Sequence, residues 1–260
     1  MAMEQLLLTN LGAIAAAITL LWLISLIKRD ASVVDIFWGS GFVLVAWLTF
    51  GMRGVASARS LVLLALVSVW GLRLSSYLAW RNWGKPEDYR YRAMRERHGT
   101  WFPLVSLATV FVLQALLMWV ISLPIQVGIA GAKGWHLAAT VGVLLWLFGF
   151  LFESVGDFQL ARFKSNPANR GRVMNRGLWR YTRHPNYFGD FLVWWGFYCL
   201  ALESGSWWWT ITSPLLMSFL LIRVSGVRLL ESSLRSRVTG YEQYVRSTSA
   251  FVPLPPKREN

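Results

Sequence analysis

The length of its apolar runs decides what this chain can fold into. A helix needs roughly 17–25 mostly apolar residues to cross the hydrocarbon core of a bilayer. About seven stretches reach that length: residues 5–27, 33–50, 59–80, 103–124, 136–157, 186–202 and 207–224. Backbone polar groups in lipid must be satisfied within their own segment, so runs this long are read as helices. The expected fold is therefore all-α: a polytopic membrane bundle of about seven transmembrane helices, forming one integral membrane domain over residues 1–260. With 55% hydrophobic residues, 15% charged and 16 tryptophans, a soluble domain would have nowhere to put its apolar surface. The first run lacks a basic leader and is too long for a signal-peptide core, so it is read as a retained span.

The formal charge of +13 does not indicate a nucleic-acid partner. Basic residues sit in short connections between apolar runs instead of on one soluble face. They follow the first, third and fifth runs and fill the tail from Arg223, whereas the opposite side holds Arg53, Arg59 and Lys133. By the positive-inside rule the N-terminus is outside and the tail cytoplasmic, with Trp207, Trp208 and Trp209 as an outer aromatic belt. One cysteine, Cys199, excludes an internal disulfide and a cysteine-based zinc cluster. His98, His136 and His184 are far apart, so no metal site is expected.

The densest chemistry lies in NRGLWRYTRHPNYFGD, Asn175 to Asp190. Pro185 suits the first position of a helix, and it pushes His184 toward an extended conformation. Arg172, Arg176, Arg180 and Arg183 thus converge on a helix N-terminus, whose free N–H groups and dipole favour an anion. Asn186 and Asp190, four residues apart, share a face. The arrangement suits phosphates and a polar ring at a membrane boundary.

Ionisable residues inside spans are functional candidates because burial in lipid is costly. They are Glu153 and Asp157 in the fifth run, Asp190 in the sixth, Asp35 at the start of the second, and Arg73 with Tyr77 in the third. The bland alternative pairs Arg73 with a carboxylate such as Asp35 merely to make burial tolerable. The loop from Arg81 to Gly99 reads either as a juxtamembrane helix on anionic lipid, at about 1 kcal/mol per basic residue, or as a carrier of Tyr89 and Tyr91 to a ligand. Thr239 and Glu242 suggest a capping box before a short tail helix bearing Tyr241 and Tyr244. There is no G-x-G-x-x-G, Walker loop or G-x-S-x-G elbow, so a nucleotide must be held by helices and loops.

RHPNYFGD, with NRGLWRYT before it, closely resembles the signature of the steroid 5α-reductase superfamily. The chain looks in particular like its bacterial membrane branch, a domain of unknown function with a steroid-reductase-like C-terminus. Sterol reductases carry a similar RH-x-NY-x-GD, and isoprenylcysteine carboxyl methyltransferases the shorter RHP-x-Y-x-G. DIFWG, RNWGKPEDYRYRAMR and the tail RVSGVRLLE…YEQY…FVP extend the resemblance over most of the chain. It implies an NADPH-dependent reductase of a conjugated C=C bond in a bacterial inner membrane. Residues 1–130 would form the substrate side and residues 136–256 the cofactor side. By position it implies NADPH contacts from Asp157, Arg162, Arg176, Arg183, His184, Asn186, Tyr187, Asp190, Glu231 and Tyr244. Eukaryotic steroid reductases carry a Gln-Glu pair in the second span and a tyrosine in the third. Here Val34 precedes Asp35, and Tyr77 stands in the third.

The expected chemistry is reduction of an apolar unsaturated lipid or steroid-like enone. A protonated Asp35, helped by Tyr77 or Tyr91, would donate to the substrate carbonyl. Two rivals stand beside it: an S-adenosylmethionine-dependent methyltransferase of the isoprenylcysteine type, and a non-enzymatic lipid-binding membrane protein. A cofactor without phosphates would not require so many arginines.

Overall fold

The computed structural model describes residues 2–53, 56–131, 134–202, 208–224, 231 and 238–257. Regular structure among the described residues is helical, apart from one isolated parallel bridge, Thr182 to Ser249. The chain divides into two compact units, residues 1–139 with 200–210, and residues 140–199 with 211–260. Helices α1 (Met3–Lys28), α2 (Val33–Arg53), α3 (Ala58–Asn82) and α8 (Leu137–Ser165) are each long and apolar enough to span a membrane, as is the helical stretch Tyr89–Gly131. The protein is an all-α integral membrane protein.

In the first unit, α2 and α3 cross where each carries a glycine. A Cβ on Gly39 would run into the carbonyl of Gly71, and a Cβ on Gly71 into that of Gly39. Small residues let helix backbones approach this closely, which is how helices associate where lipid is as apolar as leucine. The stretch Tyr89–Gly131 is four helices in series: α4 (Tyr89–His98), α5 (Phe102–Ser106), α6 (Leu113–Ile121) and α7 (Leu123–Gly131). A π-helical turn, Leu107–Val112, joins α5 to α6. Pro124 follows the α6–α7 break, where a ring without an N–H cannot continue the preceding ladder. The fourth apolar run therefore does not end at residue 124. It continues as α7, buried from Leu123 to Ile129. Asn10 of α1 donates to Thr49 of α2 and Gln126 of α7, both at 2.8 Å, and Gln126 donates to Ser122 at 2.8 Å. These bonds satisfy side-chain donors that burial would otherwise leave without a partner.

In the second unit α8 runs two turns beyond the expected end at residue 157, because Phe158 to Ser165 have good helix formers and no breaker before Pro167. It packs on α9 (Pro185–Ala201) through paired glycines. A Cβ on Gly149 would lie 2.5 Å from the Gly189 carbonyl, and one on Gly196 would lie 2.7 Å from that of Gly142. The glycine of NYFGD is thus a helix-crossing residue. At 17 residues α9 is about 25 Å long. The seventh run, expected over 207–224, gives a shorter apolar helix, Trp208–Val224, comprising α10 (Thr212–Phe219) and a second π turn, Leu220–Val224. Trp207 and the tail residues Arg228, Arg235 and Arg237 lie outside the described residues.

The tail helix α11 (Tyr241–Ser247) corrects one expectation. Its N-cap is Gly240 at φ 78°, with no side-chain cap, and not Thr239 of a capping box. The Thr239 N–H is taken by the Gly171 carbonyl at 3.0 Å, so the chain turns one residue later through a left-handed position open to glycine.

Candidate functional site

Two clusters of ionisable and aromatic side chains emerge, one in each unit. The first forms where α4 meets the start of α2. Asp88 caps α4 by accepting from the Arg90 N–H at 2.9 Å, and its own N–H donates to Ser32 at 2.8 Å. Burial acts to raise the Asp88 pKa, but bonds from Arg90 hold the carboxyl below its usual value. Glu87 accepts from the Ala31 N–H and from Arg95, both at 2.8 Å, and the Arg95 guanidinium lies 4.0 Å from the Phe102 ring centroid. So anchored, α4 brings Tyr91 and Arg90 to Asp35. The phenol donates to Oδ1 at 2.7 Å, and Arg90 donates to Oδ2 at 2.9 Å. Both Asp35 oxygens are thus engaged, Oδ1 by the Tyr91 phenol and Oδ2 by the Arg90 guanidinium.

Tyr91 and Asp35 are therefore together, while Tyr77 has a different setting: its ring lies under Arg73 at 5.3 Å and Arg81 at 5.9 Å. The sequence alternative of an Arg73 partner for Asp35 gives way to Arg90, which α4 supplies from outside the span.

The second cluster is built by the segment that enters α9. Gly177, at φ 58°, turns the chain against Gln159, whose Oε1 accepts from the Leu178 N–H at 3.0 Å. Trp179 then buries its indole and donates to the Gly156 carbonyl at 3.0 Å. Thr182 pairs with the tail at Ser249, and the Arg183 N–H donates to the Ser249 carbonyl at 2.9 Å. Pro185 opens α9 as expected, and the His184 carbonyl accepts the Phe188 N–H at 3.0 Å.

Arg183, His184 and Glu231 form one buried group. Arg183 Nε donates to Glu231 Oε1 at 2.7 Å, and its NH1 donates to the Val245 and Thr248 carbonyls at 3.1 and 2.5 Å. The guanidinium is thereby tied to the tail and does not present an open fork. His184 Nε2 lies 3.1 Å from Glu231 Oε1. Burial acts to raise the Glu231 pKa, yet bonds from His184 and Arg183 hold it at about 2. Burial pushes the His184 pKa down, and Glu231 offsets this only in part. Near neutral pH the ring is neutral, with Nε2–H donating to the carboxylate. Nδ1 is left as an acceptor, buried and with no hydrogen-bond partner among the described residues. A buried polar atom without a partner calls for a ligand or water.

His184 lines a cavity of about 570 Å³ together with Lys164, Arg170, Arg172, Arg183, Trp179, Tyr241 and Tyr244. Tyr244 donates to the Trp179 carbonyl, which fixes the tail helix as one wall. Of the residues expected to bind a cofactor, Arg183, His184 and Tyr244 line this cavity. Arg162 and Arg176 line a more open hollow beyond the 166–174 loop. Asn186 donates to Asp157 at 3.1 Å, Tyr187 stacks parallel to the His184 ring at 5.4 Å, and Asp190 follows one turn after Asn186 on α9. Glu231 acts through Arg183 and His184. Sequence reasoning gave no site role to Lys164, Arg170, Trp179 or Tyr241. The run NPANRGR, with its proline and two arginines directly after a span, was the available signal.

The profile of a family described as "Protein of unknown function (DUF1295)" matches residues 21–248. An uncharacterized protein of the fission yeast Schizosaccharomyces pombe, C594.04c, is 28% identical over 215 residues, 71% of this chain. The chain spans 62% of that relative's length. No solved structure matches the chain.

Proposed function

Because the chain belongs to the DUF1295 family, a family of unknown function, we propose its activity from the chemistry of its two clusters: NADPH-dependent reduction of a conjugated C=C bond in an apolar lipid or steroid-like enone. One observation carries this reading, the 570 Å³ cavity of the second unit. Its cationic residues Lys164, Arg170 and Arg172 suit phosphates, and its aromatic faces, Trp179, Tyr241 and Tyr244, suit planar rings. His184 Nδ1 offers an acceptor to an amine or amide donor. A dinucleotide phosphate fits these residues, and its volume class is that of ligand pockets generally. NADPH, when bound, supplies a hydride.

The chain's own residues do the rest. Arg183 and Glu231 hold the tail in place as a cavity wall. In the first unit, Tyr91 and Arg90 are the donors that would turn from Asp35 to stabilise negative charge developing on a substrate carbonyl oxygen. An apolar substrate suits helices embedded in lipid. By the positive-inside rule the basic connections favour an N-terminus outside and a cavity on the cytoplasmic side, which in this reading is that of a bacterial inner membrane.

Binding of NADPH, NADH and S-adenosylmethionine to detergent-purified protein, read by calorimetry, tests the class. NADPH binding, weakened about tenfold in Arg172→Ala through loss of a charge-assisted bond, is the expected result. Binding of S-adenosylmethionine alone would make the protein a methyltransferase. No binding of the three would leave a lipid-binding protein.

A further inference from the structure

We propose that Gln114 is the positioning residue of the first cluster: held by Trp38, it fixes the direction of the Tyr91 proton and makes Tyr91 the group that exchanges a proton with substrate. The final clause rests on the reductase reading; the positioning itself does not.

The direction follows from which groups can donate. An indole N–H can only donate. Trp38 Nε1 donates to Gln114 Oε1, so the amide oxygen faces Trp38 and the NH₂ faces away from it. That NH₂ donates to the Tyr91 oxygen at 3.3 Å. The phenol, already accepting there, turns its single proton to Asp35 Oδ1 at 2.7 Å. Arg90 closes the far end on Oδ2 at 2.9 Å. Every bond therefore runs one way, from Trp38 through Gln114 and Tyr91 to Asp35. Reversing it would ask the indole to accept, which it cannot do.

Local structure explains how the amide reaches its place. Gln114 is the second residue of α6, directly after the π turn Leu107–Val112. A π turn adds one residue to the helix, rotating everything after it by about 100° relative to an uninterrupted α-helix. Such insertions often sit at functional sites. Asp35 and Trp38, three apart on α2, share a face and grip the two ends of the chain.

In the proposed step the Tyr91 O–H bond breaks and an O–H bond forms on the substrate carbonyl oxygen. The electron pair stays on Tyr91 as a phenolate. Gln114 still donates to that oxygen, and the Arg90 guanidinium, 5.2 Å from the Tyr91 ring centroid and 2.9 Å from Asp35 Oδ2, offsets one of the two negative charges that the phenolate and Asp35 then carry. Solvent returns the proton.

The full chain carrying 3-fluorotyrosine at position 91 reports the electron density of the ring through its fluorine resonance. Gln114→Met removes a bond accepted by the oxygen, and Asp35→Ala removes the acceptor of its proton, so the two variants should move the resonance in opposite directions. Trp38→Phe should move it as Gln114→Met does, by less. If Gln114→Met and Trp38→Phe leave the resonance unmoved, or shift it as Asp35→Ala does, the positioning role is wrong. NADPH binding should be unchanged in Gln114→Met. Its kcat on an enone reduced by wild type should fall about tenfold, a part of what acid–base catalysis contributes, with KM within about twofold. An unchanged kcat beside a shifted resonance would remove the catalytic clause alone. A wild-type protein that binds no NADPH would refute the reductase reading, while the resonance still decides the role of Gln114.

Discussion

Each unit holds a carboxylate paired with an arginine and an aromatic hydrogen-bond donor, but at opposite degrees of burial. The side chains of Asp35 and Arg90 are 23% and 39% exposed, whereas those of Glu231 and Arg183 are 11% and 8% exposed. The second pair is enclosed and its arginine is fully engaged by a carboxylate and two carbonyls. The first is less enclosed, and its arginine sits at the end of a chain of donors. Enclosed ion pairs hold structure, because removing one partner strands the other without water. Accessible ones can change partners during a reaction. The same three chemical groups thus serve as a strap in one unit and, under the proposed function, as working chemistry in the other.

Breaking each pair sharpens the contrast. Glu231→Ala should have the largest effect, costing about 3–5 kcal/mol in the second unit by leaving Arg183 buried and unpaired. Thermal unfolding in detergent, with proteolysis mapping release of the tail, measures it. Asp35→Asn should leave unfolding nearly unchanged and lower enone reduction about a hundredfold, within the range for acid–base groups. Equal unfolding losses in the two variants would erase the distinction. Gly189→Ala should cost about 1–3 kcal/mol by forcing α8 and α9 apart, again read in thermal unfolding.

Acid should act on the second unit through its enclosed cluster. His184 and Glu231 both have folded pKa values below their unfolded ones, so the unfolded chain binds more protons. The stability they contribute is present above about pH 6.5 and 4.5 respectively. It is lost as pH falls, for Glu231 down to about 2. Unfolding midpoints between pH 8 and 4 should therefore drop less in His184→Gln than in wild type. The smallest effect belongs to Arg90→Lys, which keeps charge on a partly exposed pair and should change stability by under about 1 kcal/mol.

The apolar runs made the helical membrane fold legible, since their length admits few alternatives. The Pro185 start of α9 was equally legible, because proline at a first helical position acts locally. The break at Ser122 and the extension of α8 past residue 157 were not, since both lie inside patterns that hydrophobicity alone treats as continuous. In the site, Asp35 and Tyr91 were named from sequence, but Gln114 was not. A π turn leaves no mark in an apolar run, and without it the phase of α6 cannot be read. Arg183 was assigned to phosphate because its motif is rich in charge. Its actual partners, Glu231 and two tail carbonyls, lie 48 to 65 residues away, beyond the reach of local pattern.

The bridge from Thr182 to Ser249 sets an order of events during synthesis. The segment entering α9 leaves the ribosome long before the residues that clasp it. Until Val238 to Leu254 emerge, Arg183 has no carbonyls to bind and the cavity lacks the wall bearing Tyr241 and Tyr244. A chain halted near residue 230 would already hold its membrane-spanning helices, yet would have no finished pocket. Insertion and competence are thus separate milestones, and the second waits for Val238 to Leu254.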